Sequence, residues 1–234
     1  MGAPRLLGVR AIVTGASRGV GRAVAEAFVA EGAHVVATAR EAGRLESFLR
    51  GARGPGERPA GVALDLGDAD SVAGAARAAI LELGRVDVLV NNAGVLGSRV
   101  ALEDVPPGEL EAVVAANLVG TLRFTQAILP AMGHGGAIVN VGSGAAGRAG
   151  WAGYGVTKAA MDAATRMLRE ELADRGIRCV AVNPGGTRTA MRAAAYPNED
   201  PATVPHPRSV VPPFVAIAEG ADPGWHVEAR EWTG

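Results

Sequence analysis

Ser143, Tyr154 and Lys158 are the residues of this chain whose types and spacing could do acid–base chemistry. Tyr154 and Lys158 stand four positions apart in Tyr154-Gly155-Val156-Thr157-Lys158, so on a helix the phenol and the ammonium share one face. A free phenol holds its proton until about pH 10, but a neighbouring cation favours the phenolate. A lowering of two or three units, roughly 3 to 4 kcal/mol, would make such a phenol a working proton donor. Ser143 follows Ala137-Ile138-Val139-Asn140-Val141, an apolar run that reads as a buried strand. Its hydroxyl then lies at a strand's carboxyl end, where open α/β sheets hold their ligands. Alone, a Tyr/Lys pair at helical spacing is more often a solvated face than a site, so its weight comes from the elements around it.

Those elements alternate. Ala11-Ile12-Val13-Thr14 reads as a strand and runs into Gly15-Ala16-Ser17-Arg18-Gly19-Val20-Gly21. A helix follows with Val20, Val24, Ala27 and Phe28 on one stripe, stopping near Gly32. Strand, glycine-rich turn and helix together form a phosphate cradle, because the backbone can approach a diphosphate and the helix amino end offers free N–H groups. His34 to Arg40 is the second strand. An acidic residue at its end would bind the adenosine ribose of NAD, whereas an arginine suits a 2'-phosphate. Arg40, with Arg18 in the glycine loop, therefore favours NADP(H) over NAD(H).

Gly61 to Leu66 reads as the third strand with Asp65 near its carboxyl end, and Ser71 as the cap of the next helix, whose Val72, Ala76, Ala79, Ile80 and Leu83 form the buried side. Asp87-Val88-Leu89-Val90 begins a fourth strand that runs into Asn91-Asn92-Ala93-Gly94, a tight turn or a cofactor wall. A helix from about Pro107 to Leu129 carries Asn117 in its apolar stripe, either as a satisfied structural amide or as a catalytic residue holding water. The Tyr154 helix runs to about Arg175, and the sixth strand, Ile177 to Val182, leads into Asn183-Pro184-Gly185-Gly186-Thr187-Arg188-Thr189. The proline-rich stretch after Tyr196 reads as a loop or lid, Phe214 to Ala218 as a short helix, and His226 to Arg230 as a last edge strand.

Length and charge bound the rest. A chain of 234 residues suits one sizeable α/β domain. With 23 basic and 24 acidic residues and no block of like charge, neither a nucleic-acid surface nor a polybasic membrane anchor is expected. The single cysteine, Cys179, sits in an apolar run and reads as a small buried hydrophobe in a protein of a reducing compartment. The first residues do not make a secretory signal, and no apolar run is expected to span a membrane, so a cytoplasmic location follows.

With these residues assembled, the chain resembles the short-chain dehydrogenase/reductase family over nearly its whole length. The matching motifs are Thr14 to Gly21, Asp65, Asn91-Asn92-Ala93-Gly94, Asn117, Ser143, Tyr154 to Lys158 and Pro184 to Thr189, in the family's order. The resemblance implies a single-domain α/β, Rossmann-like, doubly wound parallel sheet with helices on both faces, with a substrate loop or lid at about 190–213. It implies that Tyr154 exchanges a proton with the substrate oxygen, that Ser143 hydrogen-bonds that oxygen, that Lys158 holds the nicotinamide ribose and tunes Tyr154, and that Asn117 holds a water behind Lys158. Gly15, Gly19 and Gly21 would line the diphosphate and Asp65 would contact the adenine, with Arg40 and Arg18 as cations for the 2'-phosphate and Ser17, Val20 and Leu66 also among the cofactor-binding residues. Asn91 and Gly94 would meet the adenosine side and the ribose and Thr189 the nicotinamide amide, with Ala93, Pro184, Gly185 and Thr187 also among the cofactor-binding residues. No metal is expected. The chain departs from the pattern in the short eleven-position spacing from Ser143 to Tyr154, in Gly142 where another serine is common, and in Thr157 where serine is common. The expected activity is NADP(H)-dependent oxidoreduction of a ketone, aldehyde or secondary alcohol. Its rivals are the same reaction with NAD(H) and a non-catalytic dinucleotide sensor or scaffold. Homodimers or homotetramers, paired through the Asn117 and Tyr154 helices, are implied by resemblance alone.

Overall fold

Seven runs rich in Val, Ile and Ala become the strands of one parallel sheet: β1 (Arg10–Val13), β2 (His34–Ala39), β3 (Ala60–Ala63), β4 (Val86–Asn91), β5 (Met132–Val141), β6 (Arg178–Asn183) and β7 (His226–Glu228). The computed structural model describes residues 3–233. Neighbouring strands follow the order β3-β2-β1-β4-β5-β6-β7, and every pair is parallel. The inner strands are apolar at consecutive positions because both faces are covered. On β1, Ala11 and Val13 point into one core while Ile12 points into the other; on β2, Val35 and Ala37 oppose Val36 in the same way.

The helices are α1 (Gly19–Ala30), α2 (Glu46–Gly51), α3 (Ala69–Leu83), α4 (Glu109–Val114), α5 (Thr121–Ile128), α6 (Ala152–Glu171), α7 (Ala190–Ala195) and α8 (Pro212–Glu219). Phe28 of α1, Phe48 of α2 and Phe214 of α8 fill one core, and Leu83 of α3 with Phe124 and Ile128 of α5 fill the other. The doubly wound architecture is therefore as the sequence implies, and the direction of winding reverses at β1, between β2 and β4. Crevices at such a reversal, above the strands' carboxyl ends, are where ligands bind.

Three local expectations need correction. Asp68, not Ser71, caps α3: its carboxylate accepts from the Asp70 and Ser71 backbone N–H groups, and Ser71, inside the helix, turns its hydroxyl back to accept from the Asp65 N–H at 2.9 Å. The helix expected over 107–129 is interrupted by a π turn at Ala115–Gly120, centred on Asn117. Moreover, the whole helical run Glu109–Ala131 is long and apolar enough to cross a membrane by length and composition. Phe124 and Ile128 of this run are fully buried, and 39% of its apolar window lies inside the protein.

A buried amide ladder ties α5 to α6 through the sheet. Asn91 on β4 donates to Thr125 Oγ1 and to Asn140 Oδ1, and Asn140 on β5 donates to Thr165 Oγ1, each at 2.9 Å. Buried amides lose more when a partner is removed than they gain when one is supplied. Asn140→Ala is accordingly expected to lower unfolding stability by about 2 to 4 kcal/mol, from the stranded Asn91 and Thr165 groups plus the cavity. Urea unfolding checks this, and a change under about 0.5 kcal/mol would show that the ladder is energetically idle.

Candidate active site

The glycine loop between β1 and α1 is stitched to the end of β4. Thr14 Oγ1 accepts from the Asn92 and Ala93 backbone N–H groups at 2.9 and 3.0 Å, and Asn92 Nδ2 donates to the Thr14 and Gly15 carbonyls at 2.8 and 3.2 Å. Only glycine fits two of these positions. Gly15 has φ +67° and a Cβ there would lie 2.9 Å from Ala93 Cα, while a Cβ on Gly21 would lie 2.3 Å from Asn92 Nδ2. No side chain caps the amino end of α1, so its first N–H groups remain free to meet an anion. The loop opens on a cleft of about 620 Å³. Arg18, Arg40 and Arg44 stand along the side of the cleft next to the glycine loop and the end of β2. Arg44 pairs with Glu41 at 3.0 Å, whereas Arg18 and Arg40 are exposed and make no ion pair among the described residues.

At the other end Ser143, Tyr154 and Lys158 line the same cleft. The short 143–154 connection folds into tight turns, with Ala146 N–H bonding the Ser143 carbonyl at 3.1 Å and Gly147 N–H bonding the Gly155 carbonyl at 3.1 Å. Ser143 Oγ accepts from the Ala145 N–H at 3.1 Å, which leaves the hydroxyl proton available for a ligand. Lys158 Nζ donates to the Val141 carbonyl at 2.6 Å and lies 5.6 Å from the centroid of the Tyr154 ring. A side chain one helical turn away from a partner on α6 thus arrives with its charge beside the phenol. One turn beyond Lys158, burial raises the Asp162 carboxyl above its ordinary range, partly offset by His226 and Lys158. Asn117 uses both amide protons, on the Val95 carbonyl at 2.8 Å and Thr157 Oγ1 at 3.4 Å, and its Oδ1 accepts from the Val95 N–H at 2.7 Å.

Residues 10–200 match the family model for short chain dehydrogenases. The 3-oxoacyl-(acyl-carrier-protein) reductase FabG of Vibrio harveyi is 34% identical over 228 residues, covering 91% of each chain. The chain belongs to the short-chain dehydrogenase/reductase family. Two solved structures agree in fold. The Escherichia coli oxidoreductase yciK superposes with a TM-score of 0.92 at 29% identity, covering 98% of each chain. A short-chain dehydrogenase of Burkholderia cenocepacia in complex with NADP superposes with a TM-score of 0.82 at 30% identity, covering 96% of this chain and 98% of that one.

In this short-chain dehydrogenase most of the residues singled out by sequence meet in the one cleft: Gly15, Ser17, Arg18, Gly19, Val20, Arg40, Asp65, Leu66, Ala93, Gly94, Ser143, Tyr154, Lys158, Pro184, Gly185, Thr187 and Thr189. Three do not line it. Asn91 is spent on the buried ladder, so its side chain faces the core and not a cofactor. Gly21 acts one layer back, giving Asn92 room to close the glycine loop. Asn117 is a satisfied amide that pins the loop at Val95 to α6, so its side chain has no proton left for a water. Thr189 caps α7 by accepting from the Arg192 N–H at 3.1 Å, and Thr187 spends its hydroxyl proton on the Pro184 carbonyl at 3.0 Å. Sequence reasoning missed Arg44, whose cleft position follows from a turn after β2, and Leu96, Trp151 and Met191, which reach the Tyr154 end of the cleft only through tertiary packing. Cys179 is fully buried on β6 and burial pushes its thiol up to about 12, so it is a packing residue without nucleophilic character at neutral pH.

Proposed function

We propose that this chain is an NADP(H)-dependent oxidoreductase that interconverts a ketone or aldehyde and the corresponding alcohol, with Tyr154 as general acid and base. The observation that carries the reading is that Ser143, Tyr154 and Lys158 share a cleft with a helix amino end that no side chain caps and with two exposed arginines, Arg18 and Arg40, that make no ion pair among the described residues. The cradle of Gly15, Gly19 and the first turn of α1 fits a diphosphate, Arg18 and Arg40 a 2'-phosphate, and Pro184 to Thr189 the nicotinamide side. When bound, the nicotinamide supplies a hydride for the carbonyl carbon.

This chain's own residues manage the oxygen. Ser143 donates a hydrogen bond to the carbonyl oxygen and fixes its direction. Tyr154 passes its proton to that oxygen as negative charge develops there, and in the reverse direction takes it back. The Lys158 ammonium, tied to the Val141 carbonyl, stabilises the phenolate left behind. Asn117 and Thr157 act as positioning residues: Thr157 Oγ1 donates to the Tyr154 carbonyl at 2.9 Å, so the amide, the hydroxyl and the catalytic turn form one chain. Residues 190–213 serve as the substrate lid. Exposed Leu110 and Val119 on the Asn117 helical run, with Val156 and Met167 on α6, suit pairing of these helices between copies. The test follows NADPH consumption over a panel of carbonyl compounds and repeats it with Tyr154→Phe; consumption that ignores the substitution would overturn the assignment.

A further inference from the structure

We propose that Arg99 is a positioning residue that latches the 190–199 segment over the substrate end of the cleft, and that the chamber so closed takes an uncharged, apolar carbonyl compound such as an aryl or alicyclic ketone. The proposal rests on the reading of this cleft as a carbonyl-reducing site. Arg99 lies on the connection after β4, and its guanidinium carbon sits 4.5 Å from the Trp151 ring centroid and 4.4 Å from that of Tyr196. Its Nη1 also donates to the Ala195 carbonyl at 2.5 Å. One cation therefore joins three segments remote in sequence: the loop after β4, the residue that opens α6, and the end of α7. Guanidinium stacked on indole and phenol faces is favourable electrostatically and keeps its donors free for the carbonyl.

The latch reaches the chemistry through a single ring. Trp151 lies with its centroid 5.9 Å from Tyr196 and 6.0 Å from Tyr154. Between Trp151 and the catalytic turn, Ala152 has φ +38°, the sole positive φ of a non-glycine residue among the described residues. An alanine adopts that conformation when its surroundings impose it. The left-handed Ala152 carries the chain directly from the stacked Trp151 into α6.

The chamber's chemistry follows from its walls. Leu96, Trp151, Met191 and Ala195 line the cleft with Ser143 and Tyr154 and pack in one apolar cluster with the Tyr154 ring. Arg192 also lines the cleft, but its Nε and Nη2 are bonded to Glu199 at 2.7 and 2.6 Å, and its guanidinium lies 3.7 Å from the Tyr196 ring centroid. The Arg192 guanidinium in turn holds the Glu199 carboxyl below its ordinary range, so the pair stays charged and mutually satisfied at neutral pH. A carboxylate substrate would leave water for a wall whose three cations are engaged, Arg192 with Glu199, Arg99 on the Trp151 and Tyr196 rings and the Ala195 carbonyl, and Lys158 on the Val141 carbonyl, whereas an apolar ring gains by displacing water from Trp151 and Met191.

Arg99→Ala and Arg99→Lys, assayed with NADPH against an aryl ketone and a 2-oxo acid, test both halves. The wild type is expected to prefer the aryl ketone by roughly 100-fold in kcat/KM. Arg99→Ala is expected to raise KM for that ketone about 10-fold, with kcat and the NADPH Kd within about 3-fold of wild type, and Arg99→Lys to recover part of the loss. Tryptic cleavage after Arg188 or Arg192 in the NADPH complex should be about 10-fold faster in the alanine variant. Unchanged cleavage, or an NADPH Kd and Tm that deteriorate along with KM, would overturn the latch, and preference for the 2-oxo acid would overturn the chamber. Should the wild type consume NADPH with no carbonyl at all, the reductase reading falls and the chamber with it, while the cleavage rates still decide the latch.

Discussion

Tyr154→Phe is expected to lower kcat for carbonyl reduction by about 10³-fold while leaving NADPH affinity within about 3-fold of wild type. The substitution removes one oxygen and keeps the ring. Tyr154 is buried against Trp151, with Lys158 over its face, and a phenylalanine preserves both contacts. The other end of the cleft, with Arg18, Arg40 and the glycine loop, lies on other elements and is untouched. What disappears is the proton that must reach the carbonyl oxygen as it becomes an alkoxide, a contribution usually worth 10²- to 10⁴-fold. Ser143 still donates a hydrogen bond in the variant, which sets the residual rate. Single-turnover kinetics with NADPH titrated separately distinguish this outcome from a folding defect, because a misfolded site would lose the cofactor as well as the rate.

Cofactor choice should respond to Arg40. Arg40→Ala is expected to weaken NADPH binding about 10- to 50-fold and NADH binding by less than about 2-fold, and Arg18→Ala should deepen the NADPH loss. A charge-assisted bond to a phosphate contributes roughly 1.5 to 3 kcal/mol, and the exposure of both arginines places them at the lower end of that range. The same exposure makes the preference sensitive to salt, so the discrimination between the two nucleotides should shrink as ionic strength rises. Fluorescence titration of both nucleotides checks it. Equal losses for NADPH and NADH would remove Arg40 from the 2'-phosphate and leave Arg44, already paired with Glu41, as the cation to examine.

The sheet was legible because parallel strands buried on both faces show as unbroken apolar runs, and β1, β2, β4, β5 and β6 each end in the polar or glycine residues that form the cleft. The cleft was legible for the same reason: a strand's carboxyl end is both a sequence position and a place in the fold. What was not legible depends on side-chain direction. Asn91 occupies a strand end like its neighbours, yet it points down toward Asn140 and Thr125, a choice made by partners on other elements. Asp68 and Ser71 are both good caps, and only the extended backbone at Asp68, φ −117° and ψ 118°, decides where α3 begins. The Arg99 stack is invisible for a further reason: Trp151 and Tyr196 come to it from two different connections, and neither has a periodic pattern to announce its partner. The spacing from Ser143 to Tyr154 is shorter than the family's pattern. The turns at 143–151 and the left-handed Ala152 are how the chain spans it with both hydroxyls in the cleft.

Reduction by this protein requires hydride and proton to meet at one carbonyl above the sheet. NADPH carrying deuterium at C4 of the nicotinamide, on each face in turn, should be incubated with the wild-type protein and an aryl ketone, and the alcohol analysed for label. Deuterium on the carbinol carbon from one face and not the other is the expected result, because a fixed cleft presents a single face of the ring. An alcohol formed without label from either face, or ketone left unreduced beside bound NADPH, would contradict it.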